Sequence, residues 1–188
     1  MADALNDNLT NMSTAALVSL EEYLSTSYDP DCEYVDGTLL ERNMGESDHA
    51  GLQALLVAWL SLRRKELGIH VFPELRVQVG PRRYRVPDIT VTTSRVRGRI
   101  LAEPPLLCIE ILSPEDRATR MEEKIDDYLS FGVPNVWLID GRKRRAWVYT
   151  REGRREASTV LSTVVPQIDV PIAELFSDLD EEIEAPRD

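Results

Sequence analysis

With 188 residues, of which 43% are hydrophobic and 29% charged, the chain suits one domain with a core of its own. A formal net charge of −11 argues against indiscriminate nucleic-acid binding, and no apolar run approaches the roughly 20 residues of a membrane helix. The polar N-terminus MADALNDNLTNMSTAAL lacks the basic start and apolar core of a secretory signal, and two distant cysteines (Cys32, Cys108) and two histidines point away from a disulfide framework or structural zinc, so the expected compartment is the cytoplasm.

Residues 1–15 are expected to be disordered, 16–176 to form a single domain, and 177–188 to be a disordered acidic tail. Leu17, Leu20 and Leu24 share one face of a short helix. CEYVDGTLLE reads as a hairpin, because Asp36-Gly37 is a favoured two-residue turn. Ser47 or Asp48 can cap a long helix whose Leu52, Leu55, Leu56, Trp59 and Leu60 follow helical spacing. IHVFPELRVQV and RYRVPDITVT read as two strands joined by the turn Gly80–Arg83, and PPLLCIEILSP as a further, buried one. Ser113-Pro114-Glu115-Asp116 has the chemistry of a helix start, and that helix runs to about Phe131 before Gly132 ends it. NVWLID and RAWVYT complete the core. The order predicts an α/β (α+β) domain with a mixed central sheet flanked by helices.

Glu110 stands out, a carboxylate near the centre of an apolar strand, where an unpaired charge costs several kcal/mol. Asp88, in the preceding strand, is close enough in a neighbouring pairing to share a face with it. Two such carboxylates raise each other's pKa unless a cation lies between them, and Mg²⁺ suits one or two carboxylates with several waters. One of only three lysines, Lys124, follows in the next helix, on the flank of its apolar face. Spacing alone leaves three outcomes open for it: pointing to solvent, pairing with Asp127, or reaching the Asp88–Glu110 pair. Arginines cluster at Arg95, Arg97 and Arg99 and within 141–155, where Arg142, Arg144 and Arg145 lie. Each cluster alone reads as a solvated face, and the two together hint at a phosphate-rich partner.

Taken in order, VPD at Asp88, IEILSP at Glu110, Lys124 in its helix and GVPNVWLID resemble the Uma-two family of restriction-endonuclease-like proteins, within the PD-(D/E)xK nuclease superfamily. EYVDGTLLE and the histidine opening the long helix match too, so the resemblance spans about residues 18 to 150. It implies a restriction-endonuclease-like core and a divalent-metal site with Asp88 and Glu110 as ligands, Lys124 as the lysine and Glu33 as a further acid. His49, on the face of Leu52 and Leu56, reads as a packed or hydrogen-bonded residue rather than a ligand. One departure is plain: two residues after the glutamate, where the superfamily pattern has its lysine, this chain has Leu112.

The function expected on these grounds is a Mg²⁺- or Mn²⁺-dependent endonuclease hydrolysing DNA phosphodiester bonds, its arginines contacting phosphates. A homodimer is the simplest way to cut both strands of a duplex. The rival is a binding or scaffold module that kept the fold and lost the activity, to which the acidity and the displaced lysine lend support. A metal-dependent hydrolase of another phosphate or glycosidic substrate is a third, weaker alternative.

Overall fold

The computed structural model describes residues 17–42, 46–114 and 116–183. In chain order these form α1 (Leu20–Ser25), β1 (Cys32–Val35), β2 (Thr38–Glu41), α2 (Ser47–Leu67), β3 (His70–Pro73), β4 (Val77–Gly80), β5 (Arg83–Arg85), β6 (Ile89–Thr92) and β7 (Leu107–Ile111). Then follow α3 (Ala118–Phe131), β8 (Asn135–Asp140), β9 (Arg145–Thr150), β10 (Gly153–Ala157), β11 (Val160–Ser162), β12 (Asp169–Pro171) and α4 (Ile172–Ile183). The β1–β2 hairpin turns at Asp36-Gly37, with φ of 50° and 103°, conformations that glycine takes freely and aspartate tolerates.

Two segments that read as single strands are each split between two sheets. Strands β3 and β6 belong to a six-stranded sheet of order β10-β9-β8-β7-β6-β3, while β4 and β5 belong to a four-stranded one of order β2-β1-β5-β4. A proline sits in each segment, Pro73 and Pro87, and a proline cannot donate into a ladder. At these points the chain leaves one sheet for the other. Glu74 turns the first corner with a φ of 53°, and its N–H donates to the Asp88 carbonyl at 3.1 Å, so the two corners stand side by side.

The six-stranded sheet is mixed: β7 and β8 run parallel, with α3 as their crossover, and the other neighbours are antiparallel. Met121, Ile125 and Tyr128 of α3 cover one face, on Cys108, Val136 and Leu138. On the other face, Leu52, Leu56 and Leu60 of α2 meet Ile109, Ile111, Trp137 and Ile139. Both cysteines are buried and unbridged. Among the described residues no helix is long and apolar enough to cross a membrane.

Several local expectations are corrected. The buried residue of α1 is Tyr23, while Leu17 and Leu24 are exposed, because Tyr23 packs with Tyr34 and Tyr84 and donates its hydroxyl to the Cys32 carbonyl at 3.0 Å. Glu46 occupies the N-cap position of α2 without a side-chain bond, so neither Ser47 nor Asp48 caps it. Helix α3 begins at Ala118 rather than beside Ser113: the Asp116 carboxylate accepts from the Ser113 N–H at 2.7 Å and closes a turn ahead of the helix.

The acidic tail expected from residue 177 is also corrected. Residues 177–183 continue α4, whose Ile172, Leu175, Phe176 and Leu179 are buried at helical spacing against α2. Acidic composition there masked an amphipathic stripe. Past Thr150, β10 extends the large sheet and β11 pairs with β12, elements the sequence reading lacked. The disorder expected of residues 1–15 lies outside the described residues, as do 184–188.

Candidate functional site

The corner between the two sheets gathers charged side chains from both sheets and from α2 and α3. Pairing of Ile89 with Ile109 sets Asp88, just ahead of β6, opposite Glu110 in β7. Pairing of Tyr34 with Tyr84 in the smaller sheet likewise sets Glu33 opposite Arg85. Lys124 reaches in from α3, one residue short of the buried Ile125. Its ammonium lies 2.8 Å from Glu110 Oε2 and 2.9 Å from Glu33 Oε1, and donates to the Val86 carbonyl at 3.2 Å. Of the three outcomes that spacing leaves open, this is the reach across the sheet, made to Glu110 and Glu33. Asp127 instead takes Arg83 at 2.6 Å and Arg85 at 2.7 Å.

Each carboxylate has its own set of partners. Asp88 Oδ1 accepts from Arg42 at 2.9 Å, while Oδ2 accepts from the Ile111 N–H at 2.7 Å and stands 3.3 Å from His49 Nε2. Arg42 also reaches Glu74 at 3.1 Å, which ties the first corner to the second. Glu33 Oε2 accepts from Arg85 at 3.0 Å and Oε1 from the Val86 N–H at 2.9 Å. Glu110 Oε1 accepts from the Tyr128 hydroxyl at 2.7 Å. Glu33, Asp88 and Glu110 are 5%, 5% and 2% exposed, and what exposure they keep faces a shared cavity of about 80 Å³, rimmed by Arg42, His49, Arg120 and Met121.

Burial opposes ionisation of all three acids, and the partners decide the outcome. Against burial, Lys124, Arg85 and the Val86 N–H hold Glu33 below the usual carboxylate range. Asp88 is likewise held low in spite of burial, by the His49 hydrogen bond, Lys124 and the Ile111 N–H. Glu110 is the exception. Burial pushes its pKa up to about 7, since its one ammonium is shared with Glu33, and Asp88 and Glu33 repel its charge. Burial disfavours the Lys124 ammonium too, but Glu110, Glu33 and Asp88 raise its pKa above that of an ordinary lysine. Burial disfavours the His49 imidazolium, but the hydrogen bond to Asp88 and the charge of that carboxylate together raise its pKa. Burial and the neighbouring Glu110 drive the Tyr128 phenol well upward, so it remains a donor.

Of the sequence-predicted residues, Glu33, Asp88, Glu110, Lys124 and His49 therefore converge, and His49 is the hydrogen-bonded histidine its helix position suggests. The arginine clusters do not converge with them. Arg95, Arg97 and Arg99 are exposed on the segment that leaves β6 at the end remote from Asp88 and returns to β4, where Leu101 bridges Val77. Arg145 pairs with Glu156 at 2.7 Å, and Arg144 pairs with Asp180 and bonds to the Gly141 carbonyl, so both serve intramolecular contacts. Arg142 is exposed in the β8–β9 turn.

Three residues escaped the sequence reading. Arg85 is 2% exposed, and a cation inside RYRVPD is the same signal as Glu110 inside LLCIEIL. Tyr128 shares the buried face of α3 with Met121 and Ile125, and helical spacing carries no signal for its hydroxyl. Arg42 carried no local signal, since it stands just past the end of β2.

A crystal structure described as "a putative nuclease belonging to DUF820" from Anabaena variabilis ATCC 29413 superposes with a TM-score of 0.77 at 26% identity, covering 86% of this chain and 99% of that one. The cryo-electron-microscopy structure of the DrdV–DNA complex matches with a TM-score of 0.40 at 18% identity, over 76% of this chain and 12% of that one. No curated protein matches. The profile of the Uma2 family, described as "Putative restriction endonuclease", matches residues 20–180, and the chain belongs to that family.

Proposed function

We propose that this protein is a divalent-metal-dependent endonuclease that hydrolyses DNA phosphodiester bonds at the corner between its two sheets. The observation that carries this reading is the placement of the Lys124 ammonium 2.8 Å from Glu110, with Asp88 on the same cavity. Membership of a restriction-endonuclease-like family supports it.

Among the described residues, no three histidine, cysteine or carboxylate groups converge as a fully protein-ligated ion requires. Mg²⁺ and Mn²⁺ do not require that, because Mg²⁺ typically takes one or two carboxylates and keeps several waters. Two carboxylates, Asp88 and Glu110, face a cavity of about 80 Å³, room for several waters. Glu110, whose charge is the least compensated of the three, is the group a further cation would suit best. The donor set therefore fits the ion, and Asp88 and Glu110 would hold it. Such an ion, when bound, polarises a phosphoryl oxygen and acidifies water.

The chain's own groups divide the remaining work. Lys124, fixed by Glu33, Glu110 and the Val86 carbonyl, is a preorganised cation for charge developing on the phosphate. Glu33 positions that ammonium and is itself fixed by Arg85. Tyr128 and His49 orient Glu110 and Asp88 through hydrogen bonds. Cutting both strands of a duplex is simplest for a symmetric pair of such sites.

Plasmid nicking with Mg²⁺ or Mn²⁺ tests the reading. We expect Asp88→Asn to abolish nicking and Lys124→Ala to lower it by about 10²–10³-fold, the usual value of one preorganised donor. Nicking that survives both changes would overturn the mechanism. One observation favours the scaffold reading: Arg42 already neutralises Asp88, and Arg85 and Lys124 already neutralise Glu33. A parent protein that binds DNA but leaves it intact with every divalent ion would select that alternative.

A further inference from the structure

A second and larger cavity, of about 570 Å³, opens between the segment that follows α1 and the β3–β4 corner. Its size falls within the range of ligand sites. Arg76 and Arg99 line it, with Tyr28 and Phe72 as aromatic neighbours. Arg76 is rigidly placed: one terminal nitrogen is 3.1 Å from Asp31, and its guanidinium carbon lies 4.6 Å from the Tyr23 ring centroid. Tyr28 is held in turn by stacking on Tyr23, with ring centroids 6.0 Å apart.

Two acids and two arginines line the cavity, and the ion pairs leave one of the four, Arg99, uncommitted. Asp31 is committed to Arg76, and Glu74, also on the lining, is committed to Arg42. Arg99 is exposed and makes no ion pair among the described residues. Of the arginine cluster at 95–99, it is the member that faces this cavity. The cavity also adjoins the carboxylate site, since Glu74 holds Arg42 at 3.1 Å and Arg42 holds Asp88 at 2.9 Å.

We propose that this cavity receives the DNA strand flanking the scissile bond, with a backbone phosphate on Arg76 and Arg99 and a base against Tyr28 and Phe72. Guanidinium groups suit phosphate oxygens, and aromatic faces take bases of any sequence. The inference rests on the nuclease reading and gives its substrate a path across the surface. It also separates one phosphate-binding arginine from a cluster that charge alone treats as uniform.

Fluorescence anisotropy of a short labelled DNA duplex, on the full chain in EDTA, tests it alongside KM and kcat for nicking in Mn²⁺. Arg99→Ala, an exposed change with no risk to folding, is expected to weaken binding roughly tenfold, about the worth of one charge-assisted hydrogen bond. It should lower the slope of log K against log salt by about 0.7–0.9, the signature of one lost phosphate contact. KM should rise with kcat unchanged. Arg76→Gln should do the same, with a thermal melt confirming its fold, while Lys65→Ala, in the last turn of α2, should change neither affinity nor KM. Parent-like affinity, slope and KM in both arginine variants of a protein that does cut DNA would overturn this inference alone. A parent that neither binds nor cuts DNA would overturn the nuclease reading and this inference with it.

Discussion

Ile109 and Glu110 are neighbours in β7 and point to opposite faces of the six-stranded sheet. On the Ile109 face, Ile89, Leu107, Ile111, Trp137 and Ile139 meet the leucines of α2 and the stripe of α4, and the packing is apolar throughout. On the Glu110 face, Cys108, Val136 and Leu138 begin an apolar layer under α3, which gives way at the corner to three carboxylates, two arginines and a lysine, with His49 reaching Asp88 from the start of α2. Buried area stabilises the first face in proportion to what it excludes from water. The second face is stabilised only as far as each charge finds its partner. Holding the site on one face leaves the other free to stabilise the sheet that positions it.

The sharpest way to break this contrast is to truncate both neighbours. Ile109→Ala should destabilise the protein by about 2–5 kcal/mol in urea denaturation, through lost transfer energy and the cavity left behind. Nicking per folded molecule should persist at low temperature. Glu110→Gln should do the reverse and abolish nicking at a much smaller cost in stability. An Ile109→Ala protein as stable as the parent would show that this face does not carry the fold.

The next largest effect concerns pH in metal-free protein. The folded pKa of Glu110 is raised, so its contribution is fully present below its unfolded value and is lost as pH rises toward the folded one. Between 4.5 and about 7, at about 1.4 kcal/mol per pH unit, the loss is at most about 3–4 kcal/mol. Glu33 and Asp88, held low, act oppositely: their contribution is present at neutral pH and fails in acid. Thermal melts in EDTA should therefore find that Glu110→Gln gains on the parent as pH rises from 5 to 8. Equal spacing of the two melting curves across that range would mean that Glu110 titrates normally.

Much of this contrast was legible in the sequence, because a charge inside an apolar strand is a local signal. Glu110 announced itself in that way and the Asp36-Gly37 turn through its chemistry, whereas the place of Lys124 on the flank of an amphipathic helix left its reach open and the family resemblance alone pointed it to the site. What escaped was non-local. No spacing rule says that Pro73 and Pro87 each hand the chain to a second sheet, yet that exchange is what brings Glu33 and Arg85 to Lys124. Arg42 is invisible for the same reason, since only the adjacent corners explain its bond to Asp88. In α4 the pattern was present, but seven acids in residues 172–188 drew the reading toward disorder.

The contact between α2 and α4 is where the apolar face can be probed most finely. At Gly51, α2 passes so close to α4 that an added Cβ would stand 2.8 Å from Leu179 Cδ1, while Leu179 itself is wholly buried. Two opposing terms act on Gly51→Ala. Alanine gains about 1 kcal/mol over glycine in a helix interior, and overpacking costs about 1–3 kcal/mol. The clashing atom is the tip of a leucine side chain, which can rotate away, so the net loss should be small, about 1 kcal/mol or less. In Gly51→Ala/Leu179→Ala the clash is gone and the helix term alone survives, so the first change should become stabilising on the second background. A double-mutant cycle in urea would measure that reversal of sign, and strict additivity would mean that α2 and α4 do not touch at this point.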